Sequence, residues 1–202
     1  MRITLVSPYA PPLVGGLEAI SLMIGRHLLA AGHETGIVAQ FATSRHTLRH
    51  RFVVREPTRS FQVEGVPVAI IEARWQAGLP GSIIYGAMWC RPLERHFVAL
   101  AERAFRGTLD AAVAGADVVH YLGTGTEPLG FAAAAAARAA GAALVVQPAI
   151  HPGHWGDRRL DALLYERADM VIAFTAAEAG IIRHLGVPAE RIRVVPGSLD
   201  PP

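Results

Sequence analysis

Two adjacent glycines, Gly15 and Gly16, stand between a proline-rich loop and a long apolar run, and no residues of this chain are better placed to meet a ligand. Lacking side chains, they leave backbone amides bare at the start of a helix, where the dipole concentrates about half a positive charge. An anionic or polyhydroxylated ligand suits such a place. The loop before them has neither the length nor the composition of the common nucleotide fingerprints, so NAD or ATP held in the usual way is not expected. Glu18 complements the dipole of the first turn. Farther on, His120 closes a strand at the edge where open α/β sheets gather ligands. A histidine there is either packed inside or presented to a ligand, and the sequence leaves both open. His151 and His154 occupy a loop after another strand. With His120 they show no helical His-x-x-x-His spacing, and Cys90 stands alone, so no metal cofactor is expected. Gly123-Thr124-Gly125 imitates the opening of a dinucleotide fingerprint. Pro128, however, takes the place of the third glycine, and the acidic residue due about 20 positions later is missing.

A second candidate surface is cationic. Arg45, His46, Arg49, His50, Arg51, Arg55 and Arg59 crowd a stretch opposed only by Glu56. A solvated loop is the plain reading. Combined with Tyr85, Met88 and Trp89 downstream, the stretch also suits docking of an anionic acceptor or of membrane headgroups, with Arg45, Arg49, Arg51 and Trp89 foremost.

These residues must be carried by regular elements. Residues 3–7 form a continuous apolar run, which predicts a central parallel strand, and residues 17–31 repeat apolar side chains at helical spacing up to Gly32. Strand two covers 35–40. Residues 61–71 read as a hairpin turning at Glu64-Gly65, and Leu93, Phe97, Leu100, Ala101, Ala104 and Phe105 make one helical stripe. A strand at 117–121 precedes an alanine-rich helix, with Thr126 as its expected cap, Pro128 in its first turn and Gly141 at its end. Further strands are expected at 143–147, 170–174 and 192–195, and Thr175 with Glu178 forms a capping box that opens the last helix. Strands alternating with helices imply an α/β domain, doubly wound around a mainly parallel sheet with helices on both faces.

Composition narrows the class. A chain of 202 residues, 51% hydrophobic and 18% charged, is too apolar for disorder and ample for a core. All 19 basic residues are arginines, yet the net charge is only +2, so no nucleic-acid partner is expected. A single cysteine suits a reducing compartment, the first apolar run is too short for a secretion signal, and no run reaches the roughly 18 residues of a membrane span.

Several segments fall in a familiar order. They are the strand followed by Pro8-Tyr9-Ala10-Pro11-Pro12 with Gly15-Gly16 and Glu18, then Ala31-Gly32-His33-Glu34, then Gly65-Val66-Pro67-Val68. Asp117-Val118-Val119-His120, Ala168-Asp169-Met170-Val171-Ile172-Ala173 and Arg191-Ile192-Arg193-Val194-Val195-Pro196-Gly197-Ser198-Leu199-Asp200 complete the order. Together they resemble the N-terminal, acceptor-side half of glycosyltransferase family 4, the retaining GT-B enzymes. The resemblance implies a Rossmann-like domain over residues 1–195, with 196–202 starting a linker toward a donor-binding domain that this chain lacks. It further implies a nucleotide-sugar donor, a sugar or lipid-linked acceptor, no cofactor, and a cytoplasmic place in peripheral contact with the membrane. Gly15 and Gly16 then face donor phosphates or acceptor. His151 corresponds to a histidine that relatives direct at the acceptor or the reacting sugar, in a register shifted by two from the position of Ala149. Many relatives carry a second histidine two residues after His120; here Leu122 stands there. On this resemblance the chain is an incomplete hexosyltransferase-like enzyme, inactive alone. The alternatives are a non-catalytic partner of a split transferase and a nucleotide-binding α/β module of another family.

Overall fold

A computed structural model describes residues 1–43, 47, 49–73 and 79–197. The order is β1 (Arg2–Tyr9), α1 (Gly16–Ala30), β2 (Glu34–Phe41), β3 (Arg59–Val63), β4 (Val66–Ile70), α2 (Leu79–Ala87), α3 (Glu94–Ala104), α4 (Thr108–Ala112) and β5 (Val118–Leu122). There follow α5 (Pro128–Ala140), β6 (Ala143–Gln147), α6 (Arg159–Tyr165), β7 (Met170–Ala173), α7 (Ala176–His184) and β8 (Ile192–Val194). The eight strands among the described residues join one sheet in the order β3-β4-β2-β1-β5-β6-β7-β8. Among the described residues, only the β3–β4 strand pair is antiparallel. The doubly wound α/β architecture expected from the alternation, Rossmann-like as the resemblance implied, is therefore the one observed.

Local chemistry explains the punctuation. Glu64 and Gly65 both hold positive φ (50° and 81°), the left-handed pair that a two-residue hairpin needs. Thr175 Oγ1 accepts from the Glu178 amide while Glu178 reaches back to the Thr175 amide, closing the expected capping box over α7. Gly141 ends α5 in the left-handed region. One cap differs from expectation. Glu127, not Thr126, is the N-cap of α5, because its carboxylate turns back to the Thr124 amide while the Thr126 hydroxyl pairs with that of Thr124.

Each face of the sheet carries its own core. Leu5, Ile37, Ala39, Val68 and Ile70 pack under α1. That helix lies so close that a Cβ on Gly25 would stand 2.9 Å from Val66 Cγ1. On the other face Val6, Val38, Val119, Tyr121 and Val146 pack against α3 and α5. Alanine dominates α5 because that helix is buried between the sheet and α3, where larger side chains have no room. Among the described residues, no helix is long and apolar enough to cross a membrane.

Candidate functional site

The winding of the sheet reverses between β1 and β5: β2 follows on one side of β1 and β6 on the other side of β5. At such a reversal the two flanking loops part beyond the carboxyl ends of the strands and leave a crevice. Here it is a cleft of about 500 Å³. The end of β1, the mouth of α1, the β5–α5 loop and the loop after β6 supply its walls.

Gly15 caps α1 in extended backbone and has no side chain to satisfy the first-turn amides. Gly16 is exposed, lines the cleft, and has open space where a Cβ would point. Gly16 therefore carries the start of α1 to the crevice, with Gly15 next to it in the chain. Glu18, in the same turn, is buried and also lines it.

Opposite this mouth lies a polar cluster that the sequence did not reveal. Glu127 Oε2 accepts from the Tyr121 hydroxyl and from the Thr124 amide, each at 2.9 Å. Its other oxygen pairs with the Arg51 guanidinium, whose Nε donates to the Tyr9 hydroxyl at 3.1 Å. Gln40 Nε2 donates to the Arg51 carbonyl at 2.8 Å, so the loop after β2 is pinned against the cleft. Burial opposes the charge of Arg51, but Glu127 and Tyr9 hold its pKa above the ordinary value. Burial, reinforced by Glu127, pushes the Tyr121 phenol well up, so it stays a donor. Gly123 makes the cluster sterically possible: at φ 157°, a Cβ there would sit 2.5 Å from both Glu127 Oε2 and the Tyr121 oxygen.

Behind it, Asp161 is fully buried and binds two loops at once, accepting from the Gly125 amide at 2.7 Å and the Arg158 amide at 2.8 Å. Burial raises its pKa to about 6, against the pull of those two amides, with Glu127 and Asp157 adding to the rise. The unfolded chain gives up this proton first, so the Asp161 contribution to stability falls between about pH 4 and pH 6 and is flat above. A rise from 3.8 to about 6 corresponds to roughly 3 kcal/mol. Asp161→Asn cannot titrate. Urea unfolding should therefore show wild-type stability, relative to that variant, declining by about that amount from pH 4 to pH 7; a pH-independent difference would contradict the assignment.

The loop after β6 folds over the cleft. His151 is exposed, bridges to Trp155 through its amide (3.0 Å to the Trp155 carbonyl), and packs its ring 4.4 Å from the indole. Trp155 Nε1 donates to the Ala149 carbonyl at 2.9 Å. Trp89, from the turn after α2, lines the same cleft beneath the Arg158 guanidinium, which lies 5.0 Å from its ring centroid.

Of the residues singled out in the sequence, Gly16, His151, Arg51 and Trp89 thus line one cleft, with Gly15 at its lip. Arg51 is largely buried there, while Trp89 remains half exposed. Arg49 is exposed, and Arg45 lies outside the described residues. His120 is elsewhere. It is buried on the α1 side of the sheet, in the floor of an apolar groove of about 390 Å³ bounded by Met23, Leu28 and Phe174. Burial lowers its pKa to about 4 against a weaker upward pull from Gln147, and its Nε2 has no partner among the described residues. Among those residues, no group of three or more histidines, cysteines or carboxylates is arranged to hold a metal. Glu127 and Asp161 went unseen in the sequence; their signal was an acid at or near a helix start, Glu127 just before Pro128 and Asp161 closing the first turn of α6.

A family model described as "Glycosyl transferase 4-like domain" matches residues 15–197. No curated protein sequence matches. Among solved structures, the lipopolysaccharide outer core galactosyltransferase WaaB in its apo form superposes with a TM-score of 0.59 at 14% identity, covering 98% of this chain and 46% of that one. The catalytic domain of starch synthase IV from Arabidopsis thaliana, bound to ADP and acarbose, gives 0.59 at 14%, covering 98% and 52%. The UDP-GlcNAc 2-epimerase from Methanocaldococcus jannaschii gives 0.54 at 14%, covering 96% and 45%. Identities this low speak for the fold alone. The chain spans about half the length of each of these structures.

Proposed function

Since the chain belongs to the glycosyl transferase 4-like domain family, we propose that its cleft is the acceptor-side wall of a site that moves a sugar from a nucleotide-sugar to an acceptor with retention. The observation that carries this reading is the position of the uncapped mouth of α1 at the switch point, facing the Arg51–Glu127 cluster and the His151 loop across one crevice. Donor phosphates reach the Gly15 and Gly16 amides, whose dipole stabilises charge developing on the departing diphosphate. The acceptor hydroxyl attacks from the face the diphosphate leaves, and His151 hydrogen-bonds a sugar hydroxyl. The nucleotide base and most of the donor sugar rest on a second wall, supplied by another domain or another chain. Support for ligands of these classes comes from the starch synthase of the same fold, which carries ADP and acarbose.

A titration of the chain with UDP-glucose, ADP-glucose and GDP-mannose, followed by amide NMR, tests this. At millimolar sugar nucleotide, at least one should shift Gly15, Gly16 and Leu17, with no sugar released or transferred. Steady transfer by this chain alone, or shifts confined to residues remote from the cleft, would overturn the half-site reading.

A further inference from the structure

Two tryptophans on the walls of one cleft remain half exposed, Trp89 at 49% and Trp155 at 45%. Single exposed apolar side chains are ordinary, but these two indoles line the same cleft, where one ligand can meet both. Trp155 is held by its Nε1 bond to Ala149 and by packing on His151, so little conformational freedom remains to be lost on binding. The matching partner for such flat apolar walls is the C–H face of a sugar ring, whose hydroxyls then meet the polar rim at Thr126 and His154.

Charge narrows the partner. Among the described residues, the cleft holds two arginines, Arg51 and Arg158. Glu127 answers Arg51, and Glu127 is itself occupied by Tyr121 and Thr124. Arg158 differs. Its amide is fixed by Asp161 and its guanidinium lies on the Trp89 ring, yet among the described residues no carboxylate comes within ion-pair distance of it. A guanidinium laid on an aromatic face keeps its in-plane N–H donors free for a planar or tetrahedral anion.

We propose that the acceptor is a saccharide bearing an acidic group, its ring seated between Trp89 and Trp155 and its anion on Arg158. This rests on the sugar-transfer reading above and narrows the substrate class of that site. The shared chemistry is an anionic substituent on a pyranose, which a carboxylate or a phosphate supplies equally.

Three disaccharides of one backbone serve as probes: one with a glucuronic acid residue, one with a 6-phosphate, and a neutral one. The readouts are affinity from NMR titration and the indole Nε1–H signals of Trp89 and Trp155, with UDP-glucose, ADP-glucose and GDP-mannose in separate samples. The expected result is that one or both acidic probes move the two indole signals and bind about tenfold more tightly than the neutral probe. Which acidic probe is tighter identifies the anion. Arg158→Gln should abolish this preference and Arg158→Lys restore part of it, each with a native-like dispersed spectrum. Equal affinity for acidic and neutral probes overturns the proposal, as does a preference that survives Arg158→Gln. If Arg158→Gln instead weakens the sugar nucleotide alone, the arginine serves the donor and the proposal fails. Gly16 shifts with a sugar nucleotide, alongside no response to any disaccharide, sink this inference while leaving the transfer reading intact; silence from every ligand sinks both.

Discussion

Glu127→Ala should cost about 3–5 kcal/mol of folding stability, because it takes the carboxylate from a largely desolvated guanidinium and leaves the buried Thr124 amide without its acceptor, the Tyr121 hydroxyl keeping only the Thr124 carbonyl. Arg51 has only 20% of its side chain exposed, and the Tyr121 hydroxyl and Thr124 amide belong to buried residues. For a domain of this size the loss corresponds to a melting temperature lower by about 10 °C. Glu127→Gln keeps one acceptor oxygen and should fall between. Replacing both partners, as Arg51→Met with Glu127→Met, removes both charges together and should recover much of the loss. Chemical denaturation of the wild type, Arg51→Met, Glu127→Met and the double variant, as a double-mutant cycle, measures the coupling. Additive losses would show that the pair does not hold the cleft together.

Gly16 in the cleft and the buried Gly125 of the β5–α5 loop should respond in opposite ways. A Cβ on Gly125 would stand 2.2 Å from the Leu160 carbonyl oxygen and 2.7 Å from the Asp161 nitrogen. Both are backbone atoms, which cannot swing aside. Gly125→Ala must push the β5–α5 loop away from α6 and break the 2.7 Å bond to Asp161, leaving a buried acid short of a donor. Overpacking and the lost bond together predict a cost of about 2–5 kcal/mol. Gly16, facing open space in the cleft, should accept even leucine within about 0.5 kcal/mol. Equal destabilisation at the two positions in urea melts would contradict this packing.

The contrast shows why the sequence spoke clearly of the fold and poorly of the site. Turns and caps are written in neighbouring residues: Glu64-Gly65 sets its hairpin, Thr175 and Glu178 set their box, and Gly141 stops α5. Cluster partners are not neighbours. Arg51 and Glu127 lie 76 positions apart, and Gly125 and Asp161 lie 36 apart, so only the folded sheet brings them together. Arg51 read as one cation in a basic stretch, and nothing local to it foretells that it turns inward. The short helices α2 and α6 sit below the length at which apolar periodicity can be recognised. His120 illustrates a different gap. Its strand was legible, but Val119 and Tyr121 face α5, so strand alternation sends the residue between them to the α1 side, into a different groove from the cleft.

The central claim is that the glycine mouth of α1 receives a sugar nucleotide. It is tested most directly by comparing the affinity of the wild-type chain and of Gly16→Leu for whichever of UDP-glucose, ADP-glucose and GDP-mannose shifts Gly16. A leucine projecting into the cleft from an intact fold should weaken binding at least tenfold, with unfolding curves that superimpose. Unchanged affinity in the folded variant would contradict the claim.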